Sequence, residues 1–415
     1  MKFNKWTLGL AAVGAVSMAS AVRADDAPKM SALNTALSNT TISGYVSTSV
    51  NWLVNHTDDG DSVGEKIPLQ AGKADGFNLD VVKLVIAKPE DQTEWASGYE
   101  VDLLFGPDAA GYNNSVSSNT GSQNGQSEVA IQQAFVTLRT PVGSGIDWKI
   151  GVWNTVIGYE SFDAGSNPNY TRSWGWAVEP TEHTGILASY NITSALAVSA
   201  GVANTLEAGI NVRNTYNNTG ETTSSWDKTF LGSATYTAPS TWGWASGSAF
   251  YAGMVYGFAG GLEGAGGSQG GNQQNYYLGT TLNSPWSKLT FGGSFDYVQN
   301  LGGTTALAGG GVHLNDYVFG LYSTYKATDK LSFNTRGEYW EVDGQSGSSY
   351  KGGDAGIELS EDLEYDLWAN VQSRIEVRYD KATSSVIPGE SVLPTGALVS
   401  EAATLGIYAN IIYKF

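Results

Sequence analysis

The sequence predicts an all-β fold: a closed, antiparallel transmembrane β-barrel of about 16 strands, with short turns at one end and long loops at the other. Three observations carry this. The last strand alternates without a break from Ala403, with Leu405, Ile407, Ala409, Ile411, Tyr413 and Phe415 on one face. Its other face holds Thr404, Gly406, Tyr408, Asn410 and Lys414, and only Ile412 there is apolar. Residues 41–415 divide into short alternating segments whose connections switch strictly between brief and long. The first residues read as an export signal, and no later run of about 18 apolar residues could cross a membrane as a helix.

At the start, Lys2 and Lys5 precede an apolar run at 6–18, followed by the small residues Ala19, Ser20, Ala21 and Ala24. Residues 1–24 are read as a signal peptide cut after Ala24 or Ala21, and 25–40 as a short periplasmic segment with room for a helix. The barrel occupies 41–415. Seven brief turns are expected at 89–95, 141–145, 193–194, 239–246, 284–287, 328–329 and 366–370, most with Pro, Gly, Asn or Asp at the bend. Eight longer stretches lie near 56–75, 107–127, 155–180, 205–226, 259–274, 300–312, 343–352 and 381–398. This sorting demands an even number of strands with both chain ends on the short-turn side, and it accommodates 14 to 18 strands.

Alternation also separates lipid from lumen. In 371–380, Val371, Ile375, Val377 and Tyr379 share a face with Ser373, while Gln372, Arg374, Glu376, Arg378 and Asp380 share the other. Charges cost up to about 2–4 kcal/mol if turned to lipid at mid-depth, so the second set points inward. The same rule sends Asn334, Arg336 and Glu338 inward, and likewise Glu358, Ser360 and Asp362, and Glu100 with Asp102. A polar lumen of this circumference implies an aqueous channel. With only a short segment before the first strand, the expectation is an open pore narrowed by loops.

Composition agrees. The chain has 52 Gly, 22 Tyr and 13 Trp, while charged residues are only 15% of the total, a balance of strands, turns and aromatic belts. The absence of Cys excludes disulfides and cysteine-ligated metals. Formal charge is -18. Losing Lys2, Lys5 and Arg23 with the signal takes it to about -21, which excludes nucleic acid as a natural partner. The partners expected are outer-membrane lipids, the barrel-assembly machinery and small polar solutes. No cofactor or catalytic set is expected.

One block resembles a known family. Gly151-Val152-Trp153, Ile157-Gly158-Tyr159-Glu160, Asn167-Pro168-Asn169-Tyr170-Thr171-Arg172-Ser173, Glu179-Pro180 and His183-Thr184-Gly185 are similar to the block typical of putative beta-barrel porin-2 proteins. Residues 374–380 resemble that family's penultimate strand. Val156 stands where the family usually has Pro. The resemblance covers essentially the whole mature chain and implies an outer-membrane channel without fixing its solute.

The third long loop carries Glu160, Asp163, Arg172 and Glu179 among several aromatics. By analogy with general porins it is a candidate constriction, its charges facing Arg336, Arg374 and Arg378. A loop packed over the mouth or against a neighbouring subunit is the equal alternative. Candidate pore-lining residues are Glu100, Asp102, Arg336, Glu338, Glu358, Arg374, Glu376 and Arg378. Tyr413 and Phe415 are the candidate membrane-assembly signal.

The remaining motifs read as structural. His183 suits a hydrogen bond at a loop-strand junction better than a metal or hydrolase site, and His56 and His313 fall in or beside loops. Asp58-Asp59-Gly60-Asp61 and Glu361-Asp362 read as solvated external loops rather than calcium sites. The Gly-rich run at 260–271 lacks the Lys of a phosphate-binding loop. The expected function is passive diffusion of small hydrophilic solutes, modestly favouring cations because inward acids outnumber inward bases. The alternatives are a carbohydrate-selective channel, with Tyr408, Trp340 and Trp153 stacking on rings, and a nonconducting structural barrel. Analogy with general porins makes a homotrimer the expected assembly.

Overall fold

The computed structural model describes residues 40–54, 63–70, 73, 75–111, 129–206, 210, 215–216, 223–224, 228–259, 271–300, 305–307, 310–312, 314–344, 353–383, 391–394, 398–399 and 403–415. The signal and the segment before the barrel lie outside these residues, as do His56, His313, the acidic run 58–61 and the Gly-rich run 260–270.

Sixteen strands close into one antiparallel barrel. They are β1 (Thr41–Leu53), β2 (Gly76–Lys88), β3 (Ser97–Phe105), β4 (Val129–Thr140), β5 (Ile146–Asn154), β6 (Glu182–Asn191), β7 (Leu196–Ala203) and β8 (Thr229–Thr237). There follow β9 (Ala249–Ala259), β10 (Gly271–Asn283), β11 (Leu289–Gln299), β12 (Leu314–Lys326), β13 (Leu331–Gly344), β14 (Gly353–Trp368), β15 (Val371–Ala382) and β16 (Ala403–Lys414). Each strand pairs with the next. β16 returns to β1, with Ile411 opposite Thr48 and Tyr413 opposite Val46. Closure removes every sheet edge, which lipid would otherwise leave without hydrogen-bond partners.

The expected sorting of connections holds. Seven turns gather at one end with Thr41 and Lys414, and eight loops, L1 to L8 in chain order, lie at the other; the loops are longer as a set, although L7 at 345–352 is shorter than the turn 238–248. Phe415 completes the seam: its N–H donates to Gly44 O at 2.9 Å, and Gly44 N–H donates to Phe415 O at 3.0 Å. A side chain at 44 would collide with Lys83 O and with the Phe415 ring, so glycine is required there.

The period-2 pattern fixes which face is which. Leu359, Leu363, Ile375, Val377, Ile411, Phe319 and Leu321 are exposed outward, whereas Ser360, Asp362, Arg374, Glu376, Arg378, Tyr408 and Asn410 are buried inward. Outward aromatics form two rows. Tyr276, Tyr297, Tyr317, Tyr339 and Tyr379 mark the loop side; Tyr325, Tyr365, Tyr413 and Trp368 mark the turn side, where Trp95, Trp242, Trp244 and Trp286 are also exposed. Tyr276, Tyr297 and Tyr317 stack at 6.0 and 4.8 Å between ring centroids. Such rows are the interfacial girdles of a membrane barrel.

One expectation fails. Glu361 and Asp362 are not in an external loop but in the middle of β14, opposite Thr335 and Asn334. Successive residues of a strand point to opposite faces, so Asp362 is inward and Glu361 outward. Two adjacent acids inside a strand cannot share a ligand.

Candidate functional site

The interior is filled by L3 (155–181). This is the longest fully described connection, and its side chains lie against lumen-facing residues from nearly every strand. Three apolar clusters hold it. Val156 and Ile157 pack with Trp153, Leu187, Leu231, Val255 and Tyr277 on one wall. Phe162, Ala164 and Tyr170 pack with Tyr45, Val81, Tyr408 and Ile412 on another. Trp174 and Val178, on the short helix α1 (Trp174–Val178), join Val298, Val318, Trp340 and Val342 on the third. Ser173 caps α1, its hydroxyl accepting the Trp176 N–H at 3.0 Å.

Glycines on lumen-facing strand positions make room for the loop. A Cβ at Gly292 would lie 1.9 Å from Tyr159 Oη, and one at Gly253 would lie 2.6 Å from Ile157 Cγ2. Tyr159 also stacks on Tyr322 at 4.1 Å. Gly292→Ala should therefore push Tyr159 out, at the cost of about 1–3 kcal/mol typical of overpacking. Single-channel conductance of that variant is expected to rise, and because the ring carbon Cζ would also lie 2.5 Å from the added Cβ, adding Tyr159→Phe should not restore the parental value.

Polar contacts along the loop's centre join L3 to β13–β15. Arg336 donates to Glu160 Oε1 at 2.9 Å, to both oxygens of Glu358 at 3.1 and 3.2 Å, and to Thr171 O at 2.7 Å. Arg378 grips Asp380 with two bonds of 2.7 and 2.9 Å and donates to Arg172 O at 2.6 Å. Arg374 donates to Ala164 O and to Asn410 Oδ1, both at 2.9 Å. The acids receive backbone N–H groups in turn. Glu376 accepts from Tyr170 at 2.6 Å and from Thr171 at 3.2 Å. Glu338 accepts from Trp174 at 2.8 Å and Gly175 at 3.1 Å, and Glu160 accepts from Ser173 at 2.8 Å. Trp174 Nε1 adds a 2.8 Å bond to Asp380. Charges buried this deeply persist only when each is paired and its remaining valences are filled.

The other loop charges differ. Asp163 pairs with Lys83 at 2.9 Å and accepts from Tyr45 at 3.0 Å, and its side chain keeps 30% exposure. Lys83 also meets Asp102 at 3.0 Å, and Gln133 bridges Asp102 to Glu100 with two 3.1 Å bonds. Arg172 is turned back onto its own loop, donating to Tyr170 O at 2.7 Å and to Phe162 O. Glu179 is half-buried beside Asp296; loss of water first, and then the Asp296 carboxyl, hold it well above the usual carboxylate range.

Sequence reasoning had grouped Arg336, Arg374 and Arg378 on neighbouring strands of one wall; Arg336 lies on β13 and Arg374 and Arg378 lie on β15, so the three share a wall with β14 between them rather than standing on adjacent strands. All three are almost wholly buried under L3 and so are removed from water. Tyr408, Trp340 and Trp153, candidates for stacking on sugars, are equally covered: Tyr170 lies 6.0 Å from Tyr408, Trp174 lies 6.5 Å from Trp340, and His183 lies 5.4 Å from Trp153. His183 Nε2 meets Thr155 Oγ1 at 3.1 Å, the loop-strand hydrogen bond its position suggested. At the level of L3 the described lumen is thus fuller than the open pore expected, because the loop brings its own apolar residues. Luminal Glu100, Lys149, Ser233 and Tyr251 remain partly exposed. Thr171, the acceptor between Arg336 and Arg378, and the notches Gly253 and Gly292 were missed. Glycines in the lumen phase of otherwise regular strands were the available signal for those notches.

The family model described as putative beta-barrel porin-2, OmpL-like, matches residues 39–411. Among curated proteins none matches the sequence. Three solved structures illustrate the fold. The outer-membrane channel DcaP of Acinetobacter baumannii is 11% identical, with 93% of this chain and 100% of that one covered at a TM-score of 0.59. In-vitro folded OmpT of Vibrio cholerae in its trimer form is 12% identical, with coverage of 91% and 99% and a TM-score of 0.52. An anion-selective porin from Comamonas acidovorans is 11% identical, with coverage of 91% and 99% and a TM-score of 0.54.

Proposed function

The chain belongs to the putative beta-barrel porin-2 family and is an outer-membrane porin, and from that premise we propose passive passage of small hydrophilic solutes with a modest preference for cations. One observation carries the preference. Arg336 and Arg378 are paired with carboxylates and Arg374 is tied to loop carbonyls and Asn410, all three buried, while Asp163 and Glu100 keep access to water. Lys149 is a partly exposed luminal base, and its ammonium lies 4.6 Å from the Phe135 ring centroid. Fixed charge in a water-filled passage sets ion preference, and salt screens it beyond roughly 8 Å.

L3 is the constriction in this reading, with Glu160 and Glu179 holding it and Asp163 lining the path. In a potassium chloride gradient the reversal potential should correspond to a potassium-to-chloride permeability ratio of about 2 to 4, falling as salt rises. Asp163→Asn should lower that ratio. An anion preference at low salt would refute the charge assignment and leave the barrel standing.

The same reading takes the protein as a homotrimer inserted by the barrel-assembly machinery, with the terminal strand as the recognised element. It assigns no catalysis: the buried acids and arginines engage one another and the loop backbone.

A further inference from the structure

The outward face carries one charge where lipid chains belong. Glu361 of β14 is exposed between Leu359 and Leu363, with Thr335 and Val377 opposite it on the neighbouring strands. It stands four residues from Tyr365 of the turn-side aromatic row, and Thr335 stands four residues from Tyr339 of the loop-side row. Both are therefore near mid-depth. Among the described residues no other Asp, Glu, Lys or Arg faces outward between the two rows. Thr335 Oγ1 donates to Glu361 Oε2 at 2.6 Å, and Ser323 of β12 lies opposite Thr335. With Gly337 and Ser373 nearby, this makes a flat, polar patch in an otherwise aliphatic belt. Small and polar residues on a membrane-facing surface are what close packing between membrane segments uses.

A second face has matching features. Thr48 of β1 is exposed outward, and its hydroxyl reaches Ile411 O only at 3.4 Å. Gly44 lies on the same face, and Ala409 of β16 sits opposite Val50. Thr48 is seven residues from Thr41, and Glu361 is seven residues from Trp368, so both stand at the same height above the turn end. They are three strands apart. In a barrel of 16 strands that separates them by about 67° around the circumference, close to the roughly 60° between the two contacts of a cylinder in a closed ring of three.

We propose that a second copy of this chain covers Glu361, in a ring of three in which the carboxylate of one copy accepts a hydrogen bond from the Thr48 hydroxyl of the next. The inference rests on the homotrimer reading and adds its contact. Four strands at about 4.8 Å spacing and a lipid band about 25 Å tall offer on the order of 500 Å² per partner, which reaches the total of about 1,000 Å² a specific interface needs. The contact is head to tail, since Glu361 against Glu361 would set two acids face to face.

The cysteine-free chain makes the test direct. Val50 and Leu359 lie one outward position beyond Thr48 and Glu361, toward the loops, so a Val50→Cys/Leu359→Cys double variant leaves the proposed bond intact. Oxidation of outer membranes carrying it should give a ladder ending at a covalent trimer, while neither single variant cross-links. Glu361→Leu should lower the temperature at which the trimer dissociates by roughly 5–10 °C without lowering that at which the barrel unfolds. A dimer from Leu359→Cys alone would overturn the proposal in favour of a two-fold contact. A trimeric mass with no cross-link, or Glu361→Leu trimers as heat-resistant as the parent, would overturn the contact alone. A monomeric mass in mild detergent would remove the trimer reading and this proposal together.

Discussion

Arg336→Ala is expected to loosen L3, raising single-channel conductance roughly two-fold or more while destabilising the folded barrel by about 3–5 kcal/mol. Arg336 is fully buried and is the single cation that joins Glu160 of the loop to Glu358 of the wall, and it also holds Thr171 O. Alanine would leave Glu160 without its counter-charge, Glu358 with only Arg378 at 3.9 Å, and one carbonyl without its donor. Burying an orphaned charge costs more than the pair was worth, so the cheapest relief is for L3 to move toward water. Arg336→Lys keeps the charge but not the forked donors that engage Glu358, and it should fall between parent and alanine. Glu160→Gln with Arg336→Met removes the opposing charges together and should lose less stability than Arg336→Ala. Denaturant unfolding from detergent micelles measures the stability loss, and bilayer recording measures the conductance.

Deleting Phe415 is expected to reduce folded protein in the outer membrane about ten-fold or more, with unassembled chain accumulating in the periplasm. The residue supplies both backbone bonds to Gly44 that finish the β16–β1 seam, and its ring sits where Gly44 leaves space. An open seam leaves N–H and C=O groups facing hydrocarbon, where each unmade bond costs far more than in water. Barrels that do insert should conduct much as the parent does, because the Phe415 ring lies beside Gly44, whereas β16 meets L3 through Ile412 and Lys414. Heat-modified mobility on gels separates folded from unfolded chain. Normal assembly with altered conductance would show that the terminal residue acts on the passage instead.

The barrel was legible because its physics is local. Period-2 alternation assigns each strand residue to lipid or lumen without knowing what it touches, and Pro, Gly and Asn at the bends mark the short turns. Arg374, Glu376 and Arg378 could be placed inward from their strand alone. The arrangement over them could not, because Arg336 meets Glu160 and Thr171 across 176 and 165 positions of sequence. Charge counting along the strands treated Arg336, Arg374 and Arg378 as open to water, and only the fold shows them covered. Glu361 was misread for the opposite reason. Two adjacent acids look like a loop by composition, yet the alternation that sends Asp362 inward also places Glu361 outward on the same strand.

The central claim is that L3 governs a water-filled passage through this barrel. Planar-bilayer recording of purified parent and Arg336→Ala protein, side by side in one salt, tests it most directly. The account predicts discrete ohmic steps from both, with larger steps from the variant. No steps from either protein, or steps of equal size from a variant shown to be folded, would contradict it.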